Sequence, residues 1–384
     1  MAEAIAAIQA GGGGGGTTPS AKPKDVNFYD YDGTLLYSYT LAEAQAMTAL
    51  PDSPTHDGLT FQGWNYSLEK VKAVTRKMDV GATYITSDGK TRIFIHLEEG
   101  RTSPMLGVCP KGTVDVDWGD GTAHDTLTGT SVTSVKWTPT HEYAAPGDYV
   151  ISLTVDGEMG FSGSSSSNQG SCILRHSSAG DNRNYTYRSA IECVQIGRNV
   201  TSLGNHAFNY CCNLNSIVIP DGVTSINNSL FNNCFSLNSV VIPDGATSID
   251  YQAFYNCYSL NNVVIPDSVA SVGGQAFNNC SSLGNVVIPY SVTSIDSGAF
   301  GGCNRLSNIV IPYSVTSIGN SAFANCYGVR FYDFTRHTSV PTLSGTNAFS
   351  NIPADCEIRV PSALYDEWIA ATNWSTYASK IVAV

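Results

Sequence analysis

The sequence predicts a mainly β protein in which two small β domains precede a solenoid of 23-residue repeats. Only 14% of the 384 residues are charged and 36 are glycine, a composition typical of chains rich in strands and turns. The dipeptide Ile-Pro recurs at this constant interval from Ile219 to Pro312, which indicates stacked repeats. Before the repeats, apolar and polar residues alternate over 114–118 and 149–155, as in half-buried strands.

Three further columns of residues keep the same step and define one repeat. They are Phe208, Phe231, Phe254, Phe277, Phe300 and Phe323; Cys211, Cys234, Cys257, Cys280, Cys303 and Cys326; and Leu214, Leu237, Leu260, Leu283 and Leu306. One repeat cannot bury its apolar side alone, so neighbouring coils stack roughly 4.8 Å apart and share a core. Ile217 and Ile219 predict a strand with an apolar inward face, which the following proline ends. The Val-Thr-Ser-Ile segments at 223–226, 292–295 and 315–318 predict the return side.

The cysteine column admits two interpretations. Stacked thiols act as small apolar core residues, or they form a metal or redox site. Zinc needs four ligands that converge on one point, whereas one cysteine per coil spreads the thiols along a line. We therefore expect free core thiols, which suit a reducing cytoplasm.

The repeats resemble the BspA-like class of leucine-rich repeats, and the resemblance covers residues 191–360. It implies a leucine-rich-repeat solenoid. Residues 361–384 resemble the closing segment of such arrays, and we expect this C-terminal cap to cover the last coil. The spacing from Phe323 to Phe349 is longer than the regular step, so the final repeat is irregular.

The middle of the chain carries two motifs, at Val114–Thr122 and His141–Val155. The first leads through Trp118 into a Gly-Asp-Gly turn, and the second feeds a strand from a Pro-Gly turn. Together they resemble the PKD-type β-sandwich, which implies a spacer domain over 81–160. The Ser/Gly-rich composition that follows predicts a linker over 161–190.

Two groups in this domain invite a chemical interpretation. Asp115, Asp117 and Asp120 offer oxygen atoms to Ca²⁺, although an alternating strand and a turn also account for them. His141 beside Asp120 suggests acid–base chemistry, but no nucleophile lies near in the sequence. The resemblance makes His141 a packing residue, and we expect neither a cofactor nor a metal.

The first domain, 25–80, contains Val26–Leu35, Leu50-Pro51 and Gly63–Tyr66. These segments resemble the small β-grasp-like repeats of bacterial surface proteins, the Listeria–Bacteroides type. The resemblance implies a compact module of a strand, a short helix and a Gly-Trp strand. Residues 82–96 predict a hairpin around Asp88-Gly89.

Asp30, Asp32 and Thr34 also form a motif that resembles the nucleophile motif of haloacid-dehalogenase-type phosphatases. That chemistry needs Mg²⁺ and a doubly wound α/β domain, for which too few residues precede the sandwich. A strand followed by an Asp-Gly turn explains the motif without chemistry. Phosphatase activity is a remote alternative, and we predict that the protein is not an enzyme.

Charge and hydropathy exclude several classes of function. The net charge of −12 repels a phosphate backbone, which excludes nucleic acid as a partner. No segment approaches the roughly 20 apolar residues of a membrane span. The N-terminus lacks the basic start of an export signal. Residues 1–24 predict an anchor peptide, with Ile5 and Ile8 as its apolar residues, on a tether of glycines Gly11–Gly16.

These observations favour a bacteriophage virion protein, a head or tail fibre that assembles in the host cytoplasm. Its N-terminus would dock to phage particle proteins, and its solenoid would contact a host cell-surface protein or polysaccharide. The alternative is a bacterial cell-surface adhesin of the BspA-like type. The oligomeric state stays open, a homo-oligomer included.

Two surfaces of the solenoid are candidates for binding. The outward strand column forms an apolar stripe, which marks an interface or reflects strand propensity alone; it contains Val218, Val241, Val264, Val287 and Val310. The turns vary between repeats and carry adaptable contact residues; they contain Asn232, Asn233, Phe235, Asp250, Tyr251, Tyr255, Asn256 and Tyr258.

Overall fold

The computed structural model describes residues 24–384, except 31–33, 53, 65–67, 75–77, 163–171, 177–186 and 188. The protein is mainly β, as the sequence predicts. A four-stranded sheet comes first, a nine-stranded sheet follows, and a stack of coils completes the chain. Within the described ranges, no helix has the length and hydropathy to cross a membrane.

The first domain contains strands β1 (Val26–Tyr29), β2 (Leu35–Tyr39), β3 (Leu59–Trp64) and β4 (Met78–Thr86) and helices α1 (Leu41–Gln45) and α2 (Leu68–Lys72). The sheet order is β2-β1-β4-β3, and β1 is parallel to β4. Phe28 is fully buried and meets Tyr39 and Trp64 edge to face. Helix α1 begins after Thr40, which forms a capping box with Glu43.

The middle domain contains β5 (Thr91–Leu97), β6 (Pro104–Asp117), β7 (Asp125–Thr130), β8 (Lys136–Trp137), β9 (Gly147–Phe161) and β10 (Leu174–His176). The long strands β6 and β9 pair antiparallel at its centre. Trp118 is buried and stacks on His141 with ring centres 4.5 Å apart. The hydroxyl of Tyr143 donates to the carbonyl of Trp118 at 2.9 Å. His141 is therefore a packing residue, as expected.

The hairpin expected at residues 82–96 is wrong. Strand β4 pairs with β1 and β3, whereas β5 pairs with β9 and with a strand of the first coil. The turn at Asp88 and Gly89 thus carries the chain from one sheet to the next. Strand β4 also runs to Thr86, past the expected boundary at residue 80. Alternation in the sequence reveals strands but not their partners.

The solenoid contains β11 (Ile191–Gln195), β12 (Val200–Leu203), β13 (Ser216–Ile217), β14 (Ser239–Val241), β15 (Ser248–Ile249), β16 (Asn262–Val264), β17 (Ser271–Val272), β18 (Ser294–Ile295), β19 (Asn308–Val310), β20 (Ser317–Ile318), β21 (Phe331–Asp333), β22 (Thr342–Leu343) and β23 (Glu357–Val360). The first ladder precedes each turn with proline or its equivalent, and its strands pair in three groups, β11-β13, β14-β16 and β19-β21-β23. The others form the second ladder, on the return side. Ser271, Ser294 and Ser317 pair in parallel register, which confirms the 23-residue step.

The residues expected to form a linker, 161–190, differ from that prediction where they are described. Strand β10 pairs with β6, and Cys172 and Ile173 are buried. In addition, β11 pairs with β5 and β12 pairs with β9. The middle sheet therefore continues into the first coils, because a short apolar stretch lies within the Ser/Gly-rich segment. The family resemblances of the first two domains remain predictions.

The turn of each coil is filled by the Phe and Cys columns. The six phenylalanines from Phe208 to Phe323 are fully buried, and successive rings stack 5.1–5.7 Å apart. The thiol of Cys234 donates to the carbonyl of Phe208 in the preceding coil at 3.1 Å, and later cysteines repeat this bond. Burial raises the pKa of Cys326 to about 12. The thiols are protonated core residues, as expected.

Residues 361–384 close the last coil. A short 3₁₀ helix (Ser362–Leu364) leads into α3 (Tyr365–Ala370), and a second 3₁₀ helix (Trp374–Lys380) leads into β24 (Ile381–Ala383). Trp368 and Trp374 are fully buried against the end of the Phe stack. Strand β24 pairs with β23 and so extends the first ladder.

Candidate binding surfaces on the solenoid

The outward valine column of the first ladder is divided into two halves. Val218, Val241 and Val264 are buried, with 5%, 5% and 1% of their surface exposed. They lie beneath β4 of the first domain, which contacts β14 and β16. Ala82 and Tyr84 pack against Val218. This covered half, Val218 to Val264, is therefore an interface within the chain, not a surface for a partner.

Gly81 shows how closely β4 approaches the covered half. A Cβ atom at this position would lie 2.5 Å from Cγ1 of Val241, closer than two carbon atoms can pack. Ser239 and Asn262, which flank the valines, are also buried there. The sequence offered these valines as a candidate binding surface and gave no sign that the first domain covers three of them.

The other half of the column stays open. Val287 is half-buried, and Val310 is 49% exposed. The first ladder is broken at this point, because residues 285–288 belong to no strand and neither β16 nor β19 pairs with one there. A cavity of about 260 Å³ opens between residues 285–288 and β19. We call this cavity the ladder cleft and the region from Val287 to Arg336 the open half.

The column that follows each Ile-Pro or its equivalent changes character at the same place. It reads Asp221, Asp244, Asp267, Tyr290, Tyr313 and Arg336 in chain order. The rings of Tyr290 and Tyr313 lie 5.0 Å apart, and Arg336 donates from Nη1 to Oη of Tyr290 at 3.3 Å. The covered half is thus accompanied by carboxylates, and the open half by aromatic rings and a cation.

Several of the predicted turn residues stabilise the backbone of the turns. Asn232 and Asn233 are buried, with 8% and 6% of their surface exposed. Asn233 and Asn256 have φ angles of 60° and 59°, in the left-handed region that asparagine tolerates better than most residues. The amide of Asn256 donates to Asn233 at 2.8 Å, and that of Asn279 donates to Asn256 at 3.0 Å. This amide ladder explains the asparagines without a ligand.

Exposed aromatic residues remain at the turns. Tyr251 is 51% exposed and Tyr258 is 43% exposed. Tyr258 stacks on Phe235 with ring centres 5.3 Å apart, whereas Tyr255 and Asp250 are half-buried. The exposed members of the predicted turn surface are therefore Tyr251 and Tyr258, with Phe235 beside them.

Sequence reasoning missed other exposed aromatic residues of the solenoid. Tyr313 and Tyr327 are 57% and 59% exposed, more than any predicted turn residue. The change from Asp267 to Tyr290 after Ile-Pro was the signal that could have found the first of them. Among the described residues, all exposed large apolar side chains lie at position 210 or later.

The residues considered for catalysis and metal binding have protein partners. Oδ2 of Asp30 lies 2.9 Å from Nε2 of His56, and Asp32 lies outside the described residues. Asp115 is bonded to His124 and Asp120 to His141, at 2.9 and 2.8 Å. The amide of Gly119 donates to Asp117 at 2.9 Å. In the described part of the chain, no group of three or more His, Cys, Asp or Glu could hold a metal. The absence of a cofactor stays a prediction.

The predicted anchor, with Ile5 and Ile8, lies outside the described residues. The structure therefore gives no geometry for attachment through residues 1–23.

Comparison with protein families identifies the repeats. Residues 201–330 match the family described as BspA type Leucine rich repeat region, in six copies. This part of the chain is a BspA-type leucine-rich-repeat region. The match confirms the resemblance seen in the sequence. The matched residues include the break in the first ladder at 285–288, the turns and the amide ladder. No curated protein matches the chain.

Solved structures of bacterial leucine-rich-repeat proteins also resemble the chain. The T. pallidum leucine-rich-repeat protein is 34% identical over 36% of this chain and 65% of its own, with a TM-score of 0.35. A leucine-rich cell surface protein of Faecalibacterium prausnitzii is 23% identical over 50% and 64%, with a TM-score of 0.33. A leucine-rich-repeat protein of Bacteroides ovatus is 19% identical over 64% and 70%, with a TM-score of 0.37. The chain spans just under two thirds of the first two proteins.

The comparisons bear on the two main hypotheses from the sequence. The virion hypothesis finds no support in them. The family match over residues 201–330 agrees with the BspA-like type named in the alternative.

Proposed function

We propose that this protein is a non-catalytic bacterial cell-surface protein that attaches to a partner through its leucine-rich-repeat solenoid. The observation that carries the proposal is the distribution of exposed aromatic residues. Five tyrosines of the repeat region are exposed, whereas the framework beneath them is buried; they are Tyr210, Tyr251, Tyr258, Tyr313 and Tyr327.

A stack of coils is suited to this role. The Phe stack and the thiol bonds join neighbouring coils of the repeat region, so the turns are presented on a rigid support. Clusters of exposed large apolar side chains often mark interaction sites on a protein surface. Tyrosine supplies a large contact area at a small cost in side-chain entropy, which makes it a frequent contact residue.

The structure offers less support for catalysis. Asp30 and Thr34, the described members of the phosphatase-like motif, lie at the adjoining ends of the antiparallel strands β1 and β2. The first domain has a single four-stranded sheet and two five-residue helices among its described residues, not a doubly wound α/β sheet. The proposal therefore assigns recognition to the solenoid and no reaction to the first domain.

Binding is tested with the purified full chain applied to surfaces that the producing bacterium colonises. The triple variant Tyr251→Ala, Tyr255→Ala, Tyr258→Ala should bind at least about tenfold more weakly, since one good contact residue contributes over about 1 kcal/mol. The matched control replaces three exposed threonines of β7, Thr126, Thr128 and Thr130, with alanine. Unchanged binding by the tyrosine variant would exclude the turns as the contact surface.

The location is tested separately. Antibodies against the chain should label intact washed cells, and mass spectrometry should find the protein in the cell-envelope fraction. Stoichiometric recovery with gradient-purified phage particles, and none on cells, would restore the virion hypothesis.

A further inference from the structure

The ladder cleft forms because the coils part on one face only. The second ladder passes without interruption through β17, β18 and β20, and the stack of Phe277 on Phe300 also continues. On the first-ladder face, residues 285–288 lie across a gap from β19. The cleft is therefore held open by coils that are fixed to each other on their other two sides.

The walls of the cleft are mainly apolar. Val287, Val310, Pro312 and Phe331 line it, and the ring of Tyr290 stands at its edge. Its volume of about 260 Å³ is below the range of about 300–1,000 Å³ that encloses a drug-sized ligand. Asn285, Ser307 and Asn308 also line the cleft, but most of its wall is apolar, so sugar hydroxyls placed there would lose more hydrogen bonds to water than the wall could replace. The cleft suits one large apolar side chain of a partner better than a sugar.

The neighbouring covered half indicates what kind of partner such a surface accepts. There the same valine column is packed by an extended protein segment, β4, through Ala82 and Tyr84. The open half continues this interface along the same ladder. Because the open half continues an interface that already accepts an extended strand, it fits an extended segment of a second protein.

Charge specifies the segment further. Arg336 is exposed and makes no ion pair among the described residues; its contact is with the hydroxyl of Tyr290. Arg359, which lies over the ring of Phe331 at 3.8 Å, is already paired with Glu357 at 2.7 Å. An unpaired guanidinium beside an apolar cleft favours a carboxylate, which arginine binds with two hydrogen bonds.

We propose that the ladder cleft binds an extended segment of a partner protein that inserts an apolar side chain between the coils and sets a neighbouring carboxylate against Arg336. The proposal rests on the proposed function, because it names the chemistry of the partner that the solenoid recognises. The ladder cleft lies on a different face from the predicted turn surface and uses different residues, so an experiment can exclude either site alone.

The test uses the full chain and three fluorescein-labelled peptides, GSTFDTSG, GSTFKTSG and GSTADTSG, with binding measured by fluorescence anisotropy. The first peptide carries both the apolar side chain and the carboxylate, and each control lacks one of them. We expect the first to bind at least about tenfold more tightly than either control. GSTFKTSG loses a charge-assisted hydrogen bond and GSTADTSG loses a buried ring, and each loss costs over about 1.4 kcal/mol of binding free energy.

Variants assign the effect to the cleft. Val310→Asp places a negative charge at the mouth, and Arg336→Ala removes the cation; each should reduce the affinity for GSTFDTSG to that of the controls. Both side chains are exposed, so both variants should fold. Arg305→Ala removes another exposed arginine outside the cleft and should leave the affinity unchanged.

Each result decides the proposal. Equal affinity for the three peptides, or an Arg305→Ala variant as weak as Arg336→Ala, would overturn it. Concentration-dependent dimers that Val310→Asp abolishes would also overturn it, because a second copy would then occupy the open half. If the peptides fail while the tyrosine variant still loses surface binding, the proposed function stands without this site. If the chain distinguishes the three peptides but does not bind to any surface, the ladder cleft stands as a binding site and the proposed function is wrong.

Discussion

The covered and open halves of the valine column share one repeat and differ in what lies over them. Val241 and Val310 occupy equivalent positions on outward faces of the first ladder, yet the first is 5% exposed and the second 49%. The difference comes from β4, which packs against β14 and β16. A repeat pattern thus sets which way a side chain points, and the flanking domain sets whether it meets solvent.

The change of neighbouring residues supports this division. The aspartates of the covered half give way to Tyr290, Tyr313 and Arg336 in the open half. Fully burying a valine contributes about 1.5–3 kcal/mol, so each covered valine favours docking of the first domain. The open half has no such cover within the described chain, and its composition is that of a contact surface.

The largest expected effect compares one substitution in both halves. Val241→Asp would bury an unpaired carboxylate under β4 and should cost about 3 kcal/mol or more. Val310→Asp should change stability by less than about 0.5 kcal/mol, because the side chain is half exposed. Chemical denaturation of the two variants measures the difference. Equal losses would show that the two halves are equally covered.

A second substitution addresses the close approach of β4. Gly81→Leu would force a side chain into Val241 and should destabilise the chain by about 1–3 kcal/mol. Limited proteolysis should cut β4 faster in this variant than in the native chain. Gly284→Ala is the control, since its nearest neighbours lie 4.0 Å from the added Cβ. Native protease resistance in Gly81→Leu would contradict the packing of β4.

The amide ladder predicts a smaller effect at a residue first considered for binding. Asn256→Ala removes two amide bonds and places alanine at a φ of 59°, so it should cost about 1–2 kcal/mol. Asn256→Gly loses the same bonds but relieves the backbone, and should cost less than alanine does. Thermal unfolding ranks the two. The reverse order would contradict the left-handed conformation of residue 256, and native stability in both variants would show that the amide bonds contribute nothing.

The smallest effect concerns pH and a histidine next to the open half. His337 is buried, and burial lowers its pKa below the usual 6.5. The folded chain therefore binds this proton less readily than the unfolded chain, so stability falls as pH drops below 6.5. His337→Asn should melt lower at pH 8 but lose less between pH 8 and pH 5 than the native chain. An unchanged pH dependence would show that His337 does not contribute.

The periodic part of the fold could be predicted from the sequence. The 23-residue step in Phe, Cys and Ile-Pro requires equivalent positions to stack, which fixes both ladders and the buried columns. The expected hairpin at 82–96 was wrong because strand alternation carries no record of the partner strand. The pairing of β10 with β6 was hidden by the Ser/Gly-rich residues around it.

The candidate site could be predicted only in part. The valine column was found because it alternates with inward isoleucines. Its coverage by β4 is a contact between domains, on which the repeat period of the sequence carries no information. Asn233 and Asn256 suggested contact residues from composition, whereas their backbone conformation and amide bonds explain them. The ladder cleft arises from the spacing of two coils, to which the repeat sequence gives no clue.

Hydrogen–deuterium exchange of the full chain tests the central claim, the division of the first ladder, most directly. Strand β16 pairs with β14 and lies under β4, whereas residues 285–288 belong to no strand and border the ladder cleft. Amides that open locally exchange faster than amides held in packed ladders. We predict exchange at 286–288 at least about tenfold faster than at Asn262–Val264. Equal protection of the two segments would contradict the account.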